Sequence, residues 1–215
     1  MTSSGVPPTS DWEEWHRGYD DPGSVLSERL LVVQRHIRAW LDATAPRSVR
    51  VMSSCAGDGR DLLDVLAERA DAHRVTATLL EADVRNADRA RQRVGDLGLE
   101  GVEVRCTDAG ISDAYAGAVP ADLVLLCGIF GNVPDEDVRR TISAARQFCD
   151  AGARVIWTRH RRYPDLTPKI HACSTSTVLR RWTSSLLHTP CTRWGSTGLS
   201  ALLSRWRRAG VCSPS

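Results

Sequence analysis

The chain has one lysine, Lys169, against 27 arginines, only two phenylalanines and two methionines, and no acidic residue after Asp165. It also lacks any window approaching the ~20 consecutive apolar residues of a membrane-spanning helix, so no membrane partner is expected. The opening stretch MTSSGVPPTSDWEEW has neither the positive start nor the apolar run of a secretory signal. Cysteine is present but unpaired in pattern. The seven thiols, Cys55, Cys106, Cys127, Cys149, Cys173, Cys191 and Cys212, are odd in number and form no CxxC. That argues against a disulfide framework and a zinc site, and for reduced thiols in a cytoplasmic protein with no metal. Two phosphate-binding signatures are missing as well: no GxGxxG follows an apolar strand, and no GK[ST] closes a phosphate loop. What remains is 215 residues, enough for one α/β domain with a full core and short for two.

Charge is unevenly distributed. Residues 1–165 hold 21 basic and all 26 acidic residues, a net −5, whereas residues 166–215 hold seven basic ones and no acid. The first ten residues are polar with two prolines, and a short helix is predicted over about 11–17. A longer one is predicted over 24–43, capped by Ser24, with Leu26, Leu30, Val33, Ile37 and Leu41 on one face. After Pro46 the rhythm becomes strand and helix in alternation. SVRVMSS, VTATLLEAD, VEVRCTDA, ADLVLLCG and ARVIWTR read as five strands. GRDLLDVLAERADA, NADRARQRVGDLG and DEDVRRTISAARQFCDAG read as helices, the last ending before Gly152. Near-continuous apolar strands alternating with helices predict a doubly wound, Rossmann-like parallel sheet covered on both faces, with ligands at the carboxyl ends of the strands.

Four strand ends carry chemistry. After the first comes CAGDG, Cys55 to Gly59, whose glycines let backbone approach a ligand or simply make a tight strand–helix turn. Glu81 ends the second strand, 22 residues beyond Gly59, where a carboxylate can accept both hydroxyls of a ribose. A solvated strand end is the plainer alternative. Asp108 ends the third, suited to the exocyclic amine of adenine, and the small residues of LCGIFGNV follow the fourth.

This ordered set resembles the class I S-adenosylmethionine-dependent methyltransferases. YDDPGS…L…RL…VQ…I ahead of CAGDGRDLL, with CGIFGNV later, is similar to a group of small actinobacterial-type members over residues 11–168. The resemblance implies S-adenosyl-L-methionine as cofactor and methyl transfer to a small-molecule acceptor. It implies that Ala56, Gly57, Asp58 and Gly59 line the methionine moiety, with Cys55 also in the cofactor site, that Glu81 holds the ribose, and that Asp108 and Ala109 frame the adenine. Cys127 and Gly128 would sit beneath the sulfonium. The implied organisation is an N-terminal helical segment or lid over 1–45, the cofactor-binding domain over 46–168, and a tail over 169–215. One departure stands out: Ser53 and Ser54 occupy the end of strand one, where the family often has an acid. Recognition of the ligand's amino group then falls to Asp58 or a carbonyl. His160, after the fifth strand, is the best-placed catalytic base, with a surface histidine as the alternative. Trp12, Trp15 and Tyr19 either form a lid or pack an N-terminal helix on the sheet.

The family's sheet continues after strand five with a helix and an antiparallel hairpin, and the tail has no alternating pattern to supply them. Its Ser/Thr/Arg/Trp/Cys bias occurs nowhere earlier. With permitted codons, a reading frame starting two nucleotides into His171 can encode a helix end, a glycine turn and two apolar strands. We therefore read 169–215 as a frame-shifted, poorly ordered basic tail that leaves strands six and seven missing or aberrant, stops the sheet at five strands and impairs the enzyme. The alternative is an evolved basic arm of the RRW…RWRR kind, making the chain a nucleic-acid-binding protein or RNA methyltransferase; the −5 balance of residues 1–165 disfavours that partner. A nucleotide-binding oxidoreductase is a third reading, disfavoured by the missing GxGxxG.

Overall fold

The computed structural model describes residues 19–130 and 135–159, and the backbone of 182–186. Helix α1 is Val25–Thr44, entered through Ser24, whose hydroxyl accepts the Ser27 N–H. Strand β1 (Val49–Ser54) leads through the 55–59 loop into α2 (Arg60–Ala67), and β2 (Val75–Glu81) into α3 (Val84–Asp96). Then come β3 (Val102–Cys106), β4 (Ala121–Leu126), α4 (Asp135–Phe148) and β5 (Cys149–Arg159). A sixth strand, β6, is Trp182–Leu186. The sheet order is β3-β2-β1-β4-β5-β6, and every pair is parallel. The chain thus starts in the middle of the sheet, winds outward through β2 and β3, and returns across β1 to β4. That reversal opens a crevice between β1 and β4 at their carboxyl ends.

Side chains alternate across the sheet, and each face is sealed by its own apolar layer. On one, Val33, Ile37 and Leu41 of α1 and Leu62, Leu63 and Leu66 of α2 pack on Val51, Leu79, Leu123 and Leu125. On the other, Val138, Ile142 and Phe148 of α4 pack with Met52, Leu80, Val124, Phe130 and Trp157. Trp157, Phe130 and Met52 are all fully buried there. Such strands, apolar on both faces, read as continuous hydrophobic runs because neither face meets water. No helix among the described residues is long and apolar enough to cross a membrane.

Three differences from the sequence reading have physical causes. Helix α2 stops at Ala67, five residues before the expected end. There Arg69 pairs with both Asp42 and Asp71, and a 3-10 turn over Ala72–Arg74 leads into β2. Helix α4 stops at Phe148, because Cys149 already pairs with Ala121 of β4; the ladder is irregular before Leu123, and Gly152 takes φ +80°. The expected end of the sheet at five strands is corrected: β6 pairs with β5 from Val155↔Trp182 to Arg159↔Leu186. Its parallel direction is not that of the antiparallel hairpin expected of the family. The rest of 169–215, the helix expected over 11–17, Trp12, Trp15 and His160 lie outside the described residues.

Candidate functional site

The carboxyl ends of β1 to β4 gather the predicted residues along one edge. Cys55 leaves β1 with φ +52°, a left-handed backbone that is rare for a residue with a side chain, and Gly57 and Gly59 follow at +61° and +76°. This tight turn brings the Gly57 N–H to the Glu81 carboxylate, Oε2 accepting it at 2.7 Å, while Oε1 accepts the Asp83 N–H at 2.9 Å. Glu81 is buried and held by two backbone donors rather than solvated. Asp83, the acid two residues on, has a different duty: it caps α3 by accepting the Arg85 and Asn86 N–H groups.

Asp108 turns back on its own loop and accepts the Gly110 N–H at 2.8 Å. The neighbouring Ala109 carbonyl accepts the Tyr115 hydroxyl at 2.7 Å, and that tyrosine stacks on Phe148 at 4.4 Å. The Cys55 thiol lies within electrostatic reach of both Glu81 and Asp108; burial, with those two carboxylates adding to it, pushes it up to about 12. It is therefore a neutral thiol at the centre of the row, not a nucleophile.

After β4, Gly128 has φ +79°, and a Cβ built on it would meet nothing within 4 Å among the described residues. Its N–H donates to Thr158 Oγ1 at 2.8 Å, and the Arg159 guanidinium donates to the Phe130 carbonyl, so the end of β5 fixes this turn. Gly59 behaves in the opposite way. A Cβ there would sit 2.7 Å from Leu79 Cδ2 and 2.8 Å from Leu63 Cδ1. The two glycines of the loop therefore serve different neighbours: Gly57 meets Glu81, and Gly59 lets α2 close onto β2. Asp58, a predicted partner for an amino group, is gripped by its neighbour Arg60 through Nε at 2.9 Å and Nη2 at 2.6 Å.

A second group of polar side chains reaches the same edge. Arg29 of α1 donates to the Tyr19 hydroxyl, with its Cζ 5.6 Å from that ring's centroid, and Arg60 Cζ stands 4.8 Å over the ring. Asp61, in the first turn of α2, is hydrogen-bonded to the Cys127 thiol and electrostatically coupled to Arg29. Burial raises the Asp61 carboxyl above its ordinary range, Asp58 adding and Arg29 opposing, and raises Cys127 well above the usual thiol value. The sequence reading missed Arg29, Asp61, Thr158 and Arg159 as site residues. For Arg29 a signal existed: it stands three residues after Leu26 and four before Val33, inside the apolar stripe of its helix.

No protein-family model and no curated protein sequence matches the chain. Solved structures do. Magnesium protoporphyrin IX methyltransferase from Synechocystis PCC 6803 with bound SAM aligns with a TM-score of 0.54 at 14% identity, over 69% of this chain and 75% of that one. The same enzyme with bound SAH gives 0.52 at 16% identity, over 65% of this chain and 63% of that one. A SAM-dependent methyltransferase from Geobacter sulfurreducens gives 0.43 at 17%, over 59% and 45%. The aligned region thus spans less than two thirds of the neighbour's length in two of these three structures. At such identities the likeness defines the fold, which is the Rossmann-like α/β fold of the class I methyltransferases.

Proposed function

We propose that the chain is an S-adenosylmethionine-dependent methyltransferase acting on a small-molecule acceptor. One observation carries this reading: the 55–59 turn, Glu81, Asp108 and Gly128 stand at the carboxyl ends of β1, β2, β3 and β4, which are contiguous in the sheet. The donor set suits the cofactor. Glu81 is a fixed carboxylate for ribose hydroxyls, Asp108 with Ala109 offers acceptors for an adenine edge, and Gly128 leaves open volume after β4. The relatives of like fold carry SAM or SAH, which supports the same ligand class here.

Bound, the cofactor supplies an electrophilic methyl group on a sulfonium. The chain's own part is to hold the nucleoside, present the acceptor and keep water out. Thr158 and Arg159 fix the 127–130 turn beside which an acceptor would lie. Cys55 and Cys127, kept as neutral thiols, add bulk without competing as nucleophiles. A base is needed only for a protonated acceptor, and His160 is the residue we assign to that role. The acidic balance of residues 1–165 favours a small acceptor over a polyanion. The altered tail is proposed to lower activity by replacing the family's terminal hairpin.

Titration calorimetry with S-adenosylhomocysteine and with NADH tests the reading. Saturable binding of the first and none of the second is expected. Binding of NADH alone would favour an oxidoreductase and end the proposal.

A further inference from the structure

Of the half-buried polar groups at this edge, Tyr19, Arg29 and Asp61 are the ones the ribose and adenine positions leave unused. The sheet order says what part of a ligand they would meet. With adenine assigned to β3 and ribose to β2, a molecule continuing in the same direction crosses β1 and arrives at β4, about 10 Å further at the usual strand spacing. What stands there is the first turn of α2, carrying Asp61, and the residue after β4, Cys127, to which Asp61 is bonded. Helix α1 lies over this point. Gln34 Nε2 ties it to α2 through the Arg60 carbonyl at 3.0 Å and Asp64 Oδ2 at 3.1 Å, and Arg29 is about one and a half turns nearer its start. Tyr19 is fixed in turn, its carbonyl accepting the Ser27 hydroxyl at 2.9 Å.

We propose that Arg29, Tyr19 and Asp61 form the subsite for the α-amino and carboxylate groups of the cofactor's methionine end, Arg29 with Tyr19 taking the carboxylate and Asp61 the ammonium. The inference rests on the cofactor reading above. Its chemistry is complementary: a zwitterion meets one guanidinium and one carboxylate in a half-buried corner, where each charge counts for more than in open water. It also answers the missing acid at the end of β1. Ser54 there is engaged with Met52 Sδ and the Tyr115 hydroxyl, and Asp58 is held by Arg60. Asp61, seven residues after Ser54 and in the first turn of α2, brings a carboxylate from the helix side to Cys127 at the end of β4.

Calorimetry on the full chain with two ligands tests this: S-adenosylhomocysteine, and 5′-methylthioadenosine, which keeps the nucleoside and lacks the amino-acid end. Arg29→Gln and Asp61→Asn are each expected to weaken S-adenosylhomocysteine by about 10- to 100-fold, the scale of a lost charge-assisted contact. Methylthioadenosine should bind both variants as it binds the parent, which also shows that they fold. An analogue lacking only the carboxylate should not distinguish Arg29→Gln from the parent, and one lacking only the amine should not distinguish Asp61→Asn. Unchanged affinity for S-adenosylhomocysteine, or an equal loss of both ligands, would overturn the subsite while leaving the cofactor reading standing. A parent protein that binds neither ligand would overturn the cofactor reading itself.

Discussion

Glu81 and Asp83 are two residues apart, and both are acids at the end of β2, yet they do different work. Glu81 accepts N–H groups from Gly57 and Asp83 and faces the crevice edge; Asp83 closes the start of α3. Glu81→Ala is expected to cost about 2–4 kcal/mol of S-adenosylhomocysteine binding, since it removes a charged acceptor from a buried place. Asp83→Ala should leave affinity close to the parent's and remove about 1 kcal/mol of stability as a lost cap, read as a fall of a few degrees in Tm. Reversed results in the two titrations would mean that the strand register at the site is off by two. Glycines divide in the same way. Gly59→Ala drives a methyl group into Leu79 and Leu63 at a positive φ, and should destabilise the fold by about 2–4 kcal/mol in a denaturant melt. Gly128→Ala meets no atom of the described residues, so its φ of +79° is what opposes it, at about 1 kcal/mol. A Gly59→Ala protein as stable as Gly128→Ala would contradict this account of the loop.

Among the elements, α1 shows how a helix can be finished from outside. It has no basic residue in its last turn, and its end is covered by Arg74, which donates to the Leu41 carbonyl at 2.6 Å and the Arg47 carbonyl at 2.8 Å. Asp71 holds that arginine at 2.8 Å and Arg69 at 2.7 Å. Hydrogen bonds from Arg69 and Arg74 keep the Asp71 carboxyl well below the ordinary carboxylate range. Its contribution to stability is therefore complete above the unfolded-state value of about 4 and is lost as the pH falls below it. Urea midpoints for the parent and Asp71→Asn should differ at pH 7, and the gap should begin to narrow only below about pH 4 and keep narrowing as acid is added; a gap that stays constant through that range would contradict the assignment. The same elements show what a sequence can reveal. The alternation of apolar strands and helices gave β1 to β5 and α1 to α4, because burial on both faces leaves a pattern in the chain itself. The early stop of α2 was hidden, because Arg69 is held by Asp42, 27 residues away, a contact no local pattern records. Arg29 was legible as a charge inside an apolar stripe, whereas Thr158 and Arg159 act through Gly128 and Phe130 in the turn after β4, 30 and 29 residues away, and left no mark.

At the scale of the whole molecule, the sheet carries both the site and the question of its own edge. β6 continues it in parallel beyond β5, where the resemblance read from the sequence implies an antiparallel hairpin. On the frame-shift reading, a chain encoded in the other frame from residue 171 should gain Tm, solubility and cofactor affinity together, as a covered edge and a fuller core require. A restored-frame chain no more stable than this one would show the tail to be an evolved element. The central claim, that one nucleoside ligand spans the ends of β1 to β4, is tested most directly by amide hydrogen exchange with and without S-adenosylhomocysteine. The account predicts slowed exchange in four separate segments at once, around residues 55–61, 81–83, 108–110 and 127–130, with the opposite ends of the same strands unchanged. Protection absent from these segments, or confined to the amino ends of the strands, would contradict it.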